Sequence, residues 1–300
     1  MFKSSRIMAA ACATAAALAL AAPALAGSSG AYHIFATPEY QALTGRVPNL
    51  GTTGQMEYFG GSVFSKVNVV SVMWGSNVNA QTVATMPGYF KAIVNSTFLD
   101  QLAEYSTKGV VAVNGHSSTN QVIHRGTFAG QVVITPQNQN TNLTDKDIHV
   151  ELKYQISIGA LPAQNKNMLY MIFFPSNITI NLDGSISCQA FGAYHFATND
   201  KRLAKKTNIF YGVMPDCGYS LQSHEIITAH EFAEATSDNV PTPGSNPNFP
   251  QAWNTSNGYE IGDLCEGTSG QLVTRKTTYF VQQVYLNSLA GCSTGNYKSP

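Results

Sequence analysis

Five short runs of consecutive apolar residues, each bounded by turn residues, constrain this chain most. Val67 to Trp74 (VNVVSVMW), closed by Gly75, has the length and β-branched content of a buried strand. Gly109 to Val113, Gly130 to Pro136, Met168 to Pro175 and Ile209 to Met214, the last ended by Pro215, have the same form. Between them the spacing turns helical. Phe90, Ile93, Val94, Phe98, Leu99 and Leu102 recur at three and four, which predicts one or two helices between Pro87 and Tyr105. Asp145 to Gly159 sets Ile148, Leu152 and Ile156 four apart, a helix signal, although the alternation around Val150 also suits a strand. Ser223 to Ser237 contains no Gly or Pro and predicts a helix with an apolar face, Ser223 as its N-cap and Glu225 in its first turn. Segments interleaved in this way predict an α/β (α+β) class, a single domain with a mixed sheet.

That domain does not fill all 300 residues. Lys3 and Arg6 precede an Ala/Leu-rich apolar stretch, Ile7 to Leu20, and Ala24, Leu25 and Ala26 precede Gly27, so residues 1 to 26 are expected to be a secretory signal peptide. Residues 27 to 60, rich in Gly, Ser, Thr and Pro, predict an extended lead-in or a pro-segment, and residues 61 to 300 the folded domain. No second apolar run approaches membrane length, so the expected product is secreted, extracellular or periplasmic, without a membrane span. Lys plus Arg equal Asp plus Glu at 17 each, and charged residues are only 11% of the chain, which excludes a polybasic nucleic-acid binder and a charge-rich disordered protein.

Setting Cys12 aside with the signal leaves Cys188, Cys217, Cys265 and Cys292. In an oxidising compartment four cysteines favour two disulfides, with three possible connectivities. Sequential pairing, Cys188 with Cys217 and Cys265 with Cys292, is preferred because it closes short loops and staples the C-terminal half. A cysteine-ligated zinc is the rival, and no C-x-x-C pair supports it.

The chemistry concentrates in His230-Glu231-Phe232-Ala233-Glu234. Residues four apart share a helix face, so the His230 imidazole and the Glu234 carboxylate can reach one cation, with Glu231 beside them. The pattern is H-E-x-x-H with its second histidine replaced by glutamate. There the i, i+4 pair holds zinc and the intervening Glu is the general base toward water. A carboxylate in the second position also admits Mn or Ca. The same residues equally describe a solvated helix face in which His and Glu bond each other. A second acidic cluster, Glu260 and Asp263 in YEIGDLC, shifts that balance, because carboxylates in an apolar stretch are costly to bury without a cation.

Asp238 continues the stripe but lies about 12 Å from His230 at 1.5 Å per residue, too far for the same ion, and is expected at the helix C-terminus or behind the ligands. His195 and His224 are weaker candidates for the site, and Tyr194 and His195 for steadying an oxyanion. No G-x-S-x-G elbow, phosphate loop or dinucleotide fingerprint is present.

Several blocks together resemble the EXORDIUM/phosphate-induced-protein family and its secreted bacterial and fungal relatives: GGSVFSKVNVVSVMWG at Gly60 to Gly75, HRGTFAG at His124 to Gly130, QISIGALP at Gln155 to Pro162, LYMIFFP at Leu169 to Pro175, then AHEFAEATSD, Ala252-Trp253 and EIGDLCEG. The resemblance covers roughly Gly60 to Cys292. It carries over onto His230, Glu231, Glu234, Trp253, Glu260, Asp263 and Cys265. Departures are the Pro/Asn-rich insertion Val240 to Pro250 and the segment Gln189 to Gly192, the second of which leaves any role of His195 in question. Plant members are secreted wall-associated proteins that influence growth, and microbial relatives with the intact motif look like metallopeptidases.

The combined expectation is a zincin-like secreted hydrolase acting on a peptide or protein. His230 and Glu234 bind Zn, Glu260 or Asp263 completes the site, and Glu231 activates water. The alternative is a non-enzymatic wall or surface protein whose carboxylates hold a structural Ca.

Overall fold

The computed structural model describes residues 34–36, 54–199, 208–241 and 248–295. The signal-peptide expectation, residues 1 to 26, lies outside them. Fifteen strands are described: β1 Ile34–Ala36, β2 Glu57–Tyr58, β3 Asn68–Trp74, β4 Thr127–Ile134, β5 Asn142–Thr144, β6 Met168–Phe173, β7 Thr179–Leu182, β8 Ser185–Ile186, β9 Phe191–Asn199, β10 Asn208–Met214, β11 Trp253–Asn254, β12 Ser269–Val273, β13 Thr278–Gln282, β14 Val284–Leu286 and β15 Gly291–Ser293. The helices are α1 Ala80–Ile93, α2 Thr97–Gln101, α3 Asp145–Ser157 and α4 Leu221–Ser237.

Six strands form the central sheet in the order β1-β9-β10-β6-β3-β4. β10, β6, β3 and β4 are mutually parallel, and β9 and β1 close one side antiparallel. The sheet is mixed, as expected. Its parallel centre explains the unbroken apolar runs, since both faces are covered. Val69 and Met73 of β3, Leu169, Met171 and Phe173 of β6, and Phe210 and Met214 of β10 face the core shared with α1, α2 and α4. Val70, Val72, Trp74, Tyr170, Ile172, Tyr211 and Val213 face the opposite core, closed by Ile148 and Leu152 of α3. The ambiguous segment at Asp145 is therefore a helix. A capping box starts it, with the Thr144 side chain accepting from the Asp147 N–H and the Asp147 carboxylate accepting from that of Thr144.

The structure corrects three expectations. Gly109 to Val113 is not a strand: Gly109 has φ +74° and Val111 is 83% exposed, so a left-handed turn interrupts the run. The N-cap of α4 is Ser220, whose hydroxyl accepts from the Ser223 N–H, one turn earlier than Ser223. The folded body also starts before residue 61, because Met56 and Tyr58 are buried in the core, β2 pairs with β11, and β1 pairs with β9. Both sequential disulfides, Cys188–Cys217 and Cys265–Cys292, are present. Among the described residues no helix is long and apolar enough to cross a membrane.

α4 lies between the sheet and the β12–β13 hairpin, and 13 of its 17 residues are buried. A helix covered on all sides needs its polar side chains satisfied internally. The hydroxyls of Thr228, Thr236 and Ser237 donate to the carbonyls of His224, Phe232 and Ala233, four residues back. The remaining buried polar groups of α4 are His224, Glu225, His230, Glu231 and Glu234.

Candidate metal centre

Three elements converge on the C-terminal half of α4. The helix supplies His230, Glu231 and Glu234, all at most 1% exposed. From the sheet comes His195: on β9 it lies between Ala193 and Ala197, both packed into the α4-side core, so strand alternation aims its ring at the helix. The loop between β11 and β12 brings Glu260, fully buried, and Asp263, which opens a short 3-10 turn to Cys265. β13 contributes Gln282, whose amide donates to the Gly262 carbonyl at 2.7 Å and lies 2.9 Å from His230 Nδ1.

The loop approaches closely because residue 262 has no side chain. A Cβ there would sit 2.7 Å from both Glu234 Oε1 and His230 Nδ1. We expect Gly262→Val to push the loop off the helix and weaken divalent-cation binding at least tenfold in a calorimetric titration, at a stability cost of about 1–3 kcal/mol from overpacking. Unchanged affinity would show that the loop takes no part in the site.

Among the described residues, two groups of three side chains could each offer a cation one ligand atom apiece: His230 with Glu231 and Glu234, and His195 with Glu234 and Glu260. Glu234 is common to both. Its Oε2 lies 3.1 Å from His230 Nε2 and 3.7 Å from His195 Nδ1. Tetrahedral zinc with ligands at about 2.0–2.1 Å separates them by about 3.4 Å, so these spacings fit a small cation. His195 Nε2 lies 3.1 Å from the Asp238 carbonyl, which can only accept; Nε2 therefore carries the proton and Nδ1 presents its lone pair to the cluster. A backbone carbonyl behind a ligating imidazole commonly orients it in this way. Glu231 Oε1 is buried without a hydrogen-bond partner, which a cation would provide.

The electrostatics follow from burying many acids together. Burial lifts the Glu231 carboxyl to about 8 against the opposing pull of His230. It lifts Asp238 to about 7 and drives Glu260 well above the carboxylate range, with Glu234 adding to the latter shift. For His230, burial acts downward but Glu234 and Glu231 outweigh it, raising the imidazole to about 10. Burial lowers His195. Protons thus neutralise the cluster in the absence of a cation.

Among the predicted residues, His230, Glu231, Glu234 and Glu260 come together. Asp263 stands at the edge: its Oδ1 is 4.0 Å from His230 Nε2, and its Oδ2 accepts the Glu260 N–H at 2.9 Å, so it shapes the loop that carries Glu260. Asp238 caps α4 and accepts from Asn254 at 2.7 Å, behind the ligands as expected. Tyr194 is corrected: it faces the opposite core and donates to Asp145 at 2.7 Å. His224 packs on Phe173 outside both groups of three. Sequence spacing ranks His195 low and does not point to Gln282. The alternation around Ala193 was the available signal for His195, and Gln282 had none.

Comparison of the chain with protein-family models, with curated proteins and with solved structures finds no match.

Proposed function

We propose that this protein is a secreted, metal-dependent hydrolase of zincin-like design acting on peptides, kin to the EXORDIUM-like secreted proteins. Its cation would be held at Glu234, the carboxylate common to both groups of three, with His230 on one side of it or His195 and Glu260 on the other. The donor set of imidazoles and carboxylates suits zinc and also accommodates Mn. A bound zinc would polarise the scissile carbonyl and acidify a water. Glu231 is the chain's own proton carrier. Its carboxylate takes the water proton as the water oxygen bonds the carbonyl carbon; the C–N bond then breaks and the proton passes to the departing nitrogen. A carboxyl held at about 8 is protonated at neutral pH, so in the ion-free protein it must first lose that proton. The supporting observation is Glu231 itself, with Oε2 at 3.2 Å from His195 Nδ1 and Oε1 without a partner among the ligand candidates.

Complete burial favours a second reading, a non-enzymatic wall or surface protein in which the cluster holds a structural cation such as Ca. Metal analysis of wild type, Glu234→Ala and Glu231→Gln, with hydrolysis of a peptide library, separates the two. The hydrolase reading expects stoichiometric metal in wild type, its loss in Glu234→Ala, and metal retained in Glu231→Gln with hydrolysis reduced by about 10²-fold or more. Metal without hydrolysis in wild type leaves the structural reading. A metal-free wild type removes both.

A further inference from the structure

The cluster is closed off by the chain itself. β1 lies along the outer edge of β9, antiparallel, with Ile34 opposite Tyr194, Phe35 opposite Ala193 and Ala36 opposite Phe191. It is three residues long with an irregular register, whereas β9 and β10 pair over six positions. Phe35 holds it at the site. Its backbone N–H reaches the Glu231 carboxyl, and its ring meets His230 edge-on at 5.1 Å between centroids. The ring lies over Gly192, where a Cβ would sit 3.3 Å from Phe35 Cδ1 and 3.4 Å from Tyr219 Cε2. Gly192, Tyr219 and His230 thus form a seat for one large apolar side chain, with a strand edge running through it.

We propose that Ile34–Ala36 is a self-docked strand, and that the β9 edge it covers is the docking groove for an extended peptide carrying an aromatic or large apolar residue in the Phe35 position. Three features identify the ligand class. A free strand edge offers main-chain hydrogen bonds to any extended peptide, whatever its sequence. The seat over Gly192 selects an apolar residue. The contact from the Phe35 N–H shows that a strand docked here brings its own amide to Glu231. Docking itself needs only β9 and the seat; only the consequence for catalysis rests on the hydrolase reading. The same occupancy accounts for a site that is otherwise sealed, since β1 covers the side on which His230 and Glu231 meet the sheet edge.

The test uses full-length protein and a labelled synthetic peptide with the sequence of residues 31–40 (AYHIFATPEY). Wild type binds it weakly because its own strand is in place. Phe35→Ala, which removes the ring, and Phe35→Pro, which removes both the ring and the N–H donor, bind it at least tenfold tighter, and a peptide with Ala in the Phe35 position loses that gain. Adding Gly192→Val to Phe35→Ala fills the seat and abolishes binding while α4 and the disulfides are untouched. Variants that melt like wild type but bind the peptide no better, or a Gly192→Val double variant that still binds, overturn the proposal. Hydrolysis of library peptides is read in the same samples. Tight docking without hydrolysis in the Phe35 variants upholds the groove and counts against the hydrolase reading alone; hydrolysis raised at least tenfold supports both.

Discussion

Stripped of divalent ions, the protein is expected to lose melting temperature progressively as pH rises from about 5 to about 9, and saturating zinc is expected to remove that loss. The sign follows from linkage. Stability falls with pH wherever the folded state binds more protons than the unfolded one. Glu231 moves from 4.5 to about 8 and Asp238 from 3.8 to about 7, and Glu260 moves in the same direction. Each therefore holds a proton in the folded chain over a range where the unfolded chain has released it. His230, raised from 6.5 to about 10, contributes stability that is complete below 6.5 and lost as pH approaches 10. His195, lowered by burial, acts oppositely, but only below its ordinary 6.5.

The sum is a loss of several kcal/mol, or on the order of 10 °C, between mildly acid and alkaline pH. A cation takes the place of the protons, and ligand at about 1,000 times its dissociation constant adds roughly 4 kcal/mol. Calorimetric melts with and without chelator check both halves, and titration in two buffers of different ionisation enthalpy checks that zinc uptake near neutral pH expels protons. A melting temperature that is flat with pH and indifferent to zinc would show that the buried acids are compensated in some other way.

The second large effect separates the two disulfides. Their sequence separations, 29 for Cys188–Cys217 and 27 for Cys265–Cys292, are nearly equal, so loop-closure entropy assigns each about 3–4 kcal/mol. Their consequences for the site differ. Cys265 ends the 3-10 turn that begins at Asp263, three residues after Gly262 rests on His230 and Glu234. Opening Cys265–Cys292 with a double Cys→Ala variant frees the segment carrying Glu260 and is expected to lower cation affinity tenfold or more. Opening Cys188–Cys217, which ties the turn before β9 to the loop before α4, is expected to cost similar stability with less than a threefold change in affinity. Denaturant unfolding and zinc titration of both variants decide the matter; equal affinity losses would mean that the C-terminal bridge has no special hold on the site.

Much of the architecture was legible because local chemistry and tertiary environment agreed. The apolar runs at Val67, Met168 and Ile209 became central strands, since a strand covered on both faces needs no polar alternation. Gly109 to Val113 misled because composition matched while Gly109 adopted a left-handed turn that no apolar count reveals. Asp145 to Ser157 could be settled only by its capping box and by the face Ile148 and Leu152 present to the sheet. Within the site, the i, i+4 pair and Glu231 were readable because helix periodicity alone places them together.

The sequence by itself determined the helix-borne half of the centre: His230, Glu231 and Glu234 lie on neighbouring positions wherever that helix packs, and the acids nearby required something to neutralise them. Tertiary structure decided everything that depends on long-range placement. It put His195 of β9 against residues 36 or more positions away, grouped Glu260 with His195 and Glu234, drew Gln282 behind His230, and laid Phe35 over the result. These choices depend on which strand edge meets which helix and on a glycine that lets a loop approach to contact distance. No periodicity records them, because side chains brought together across the fold have no spacing in common along the chain.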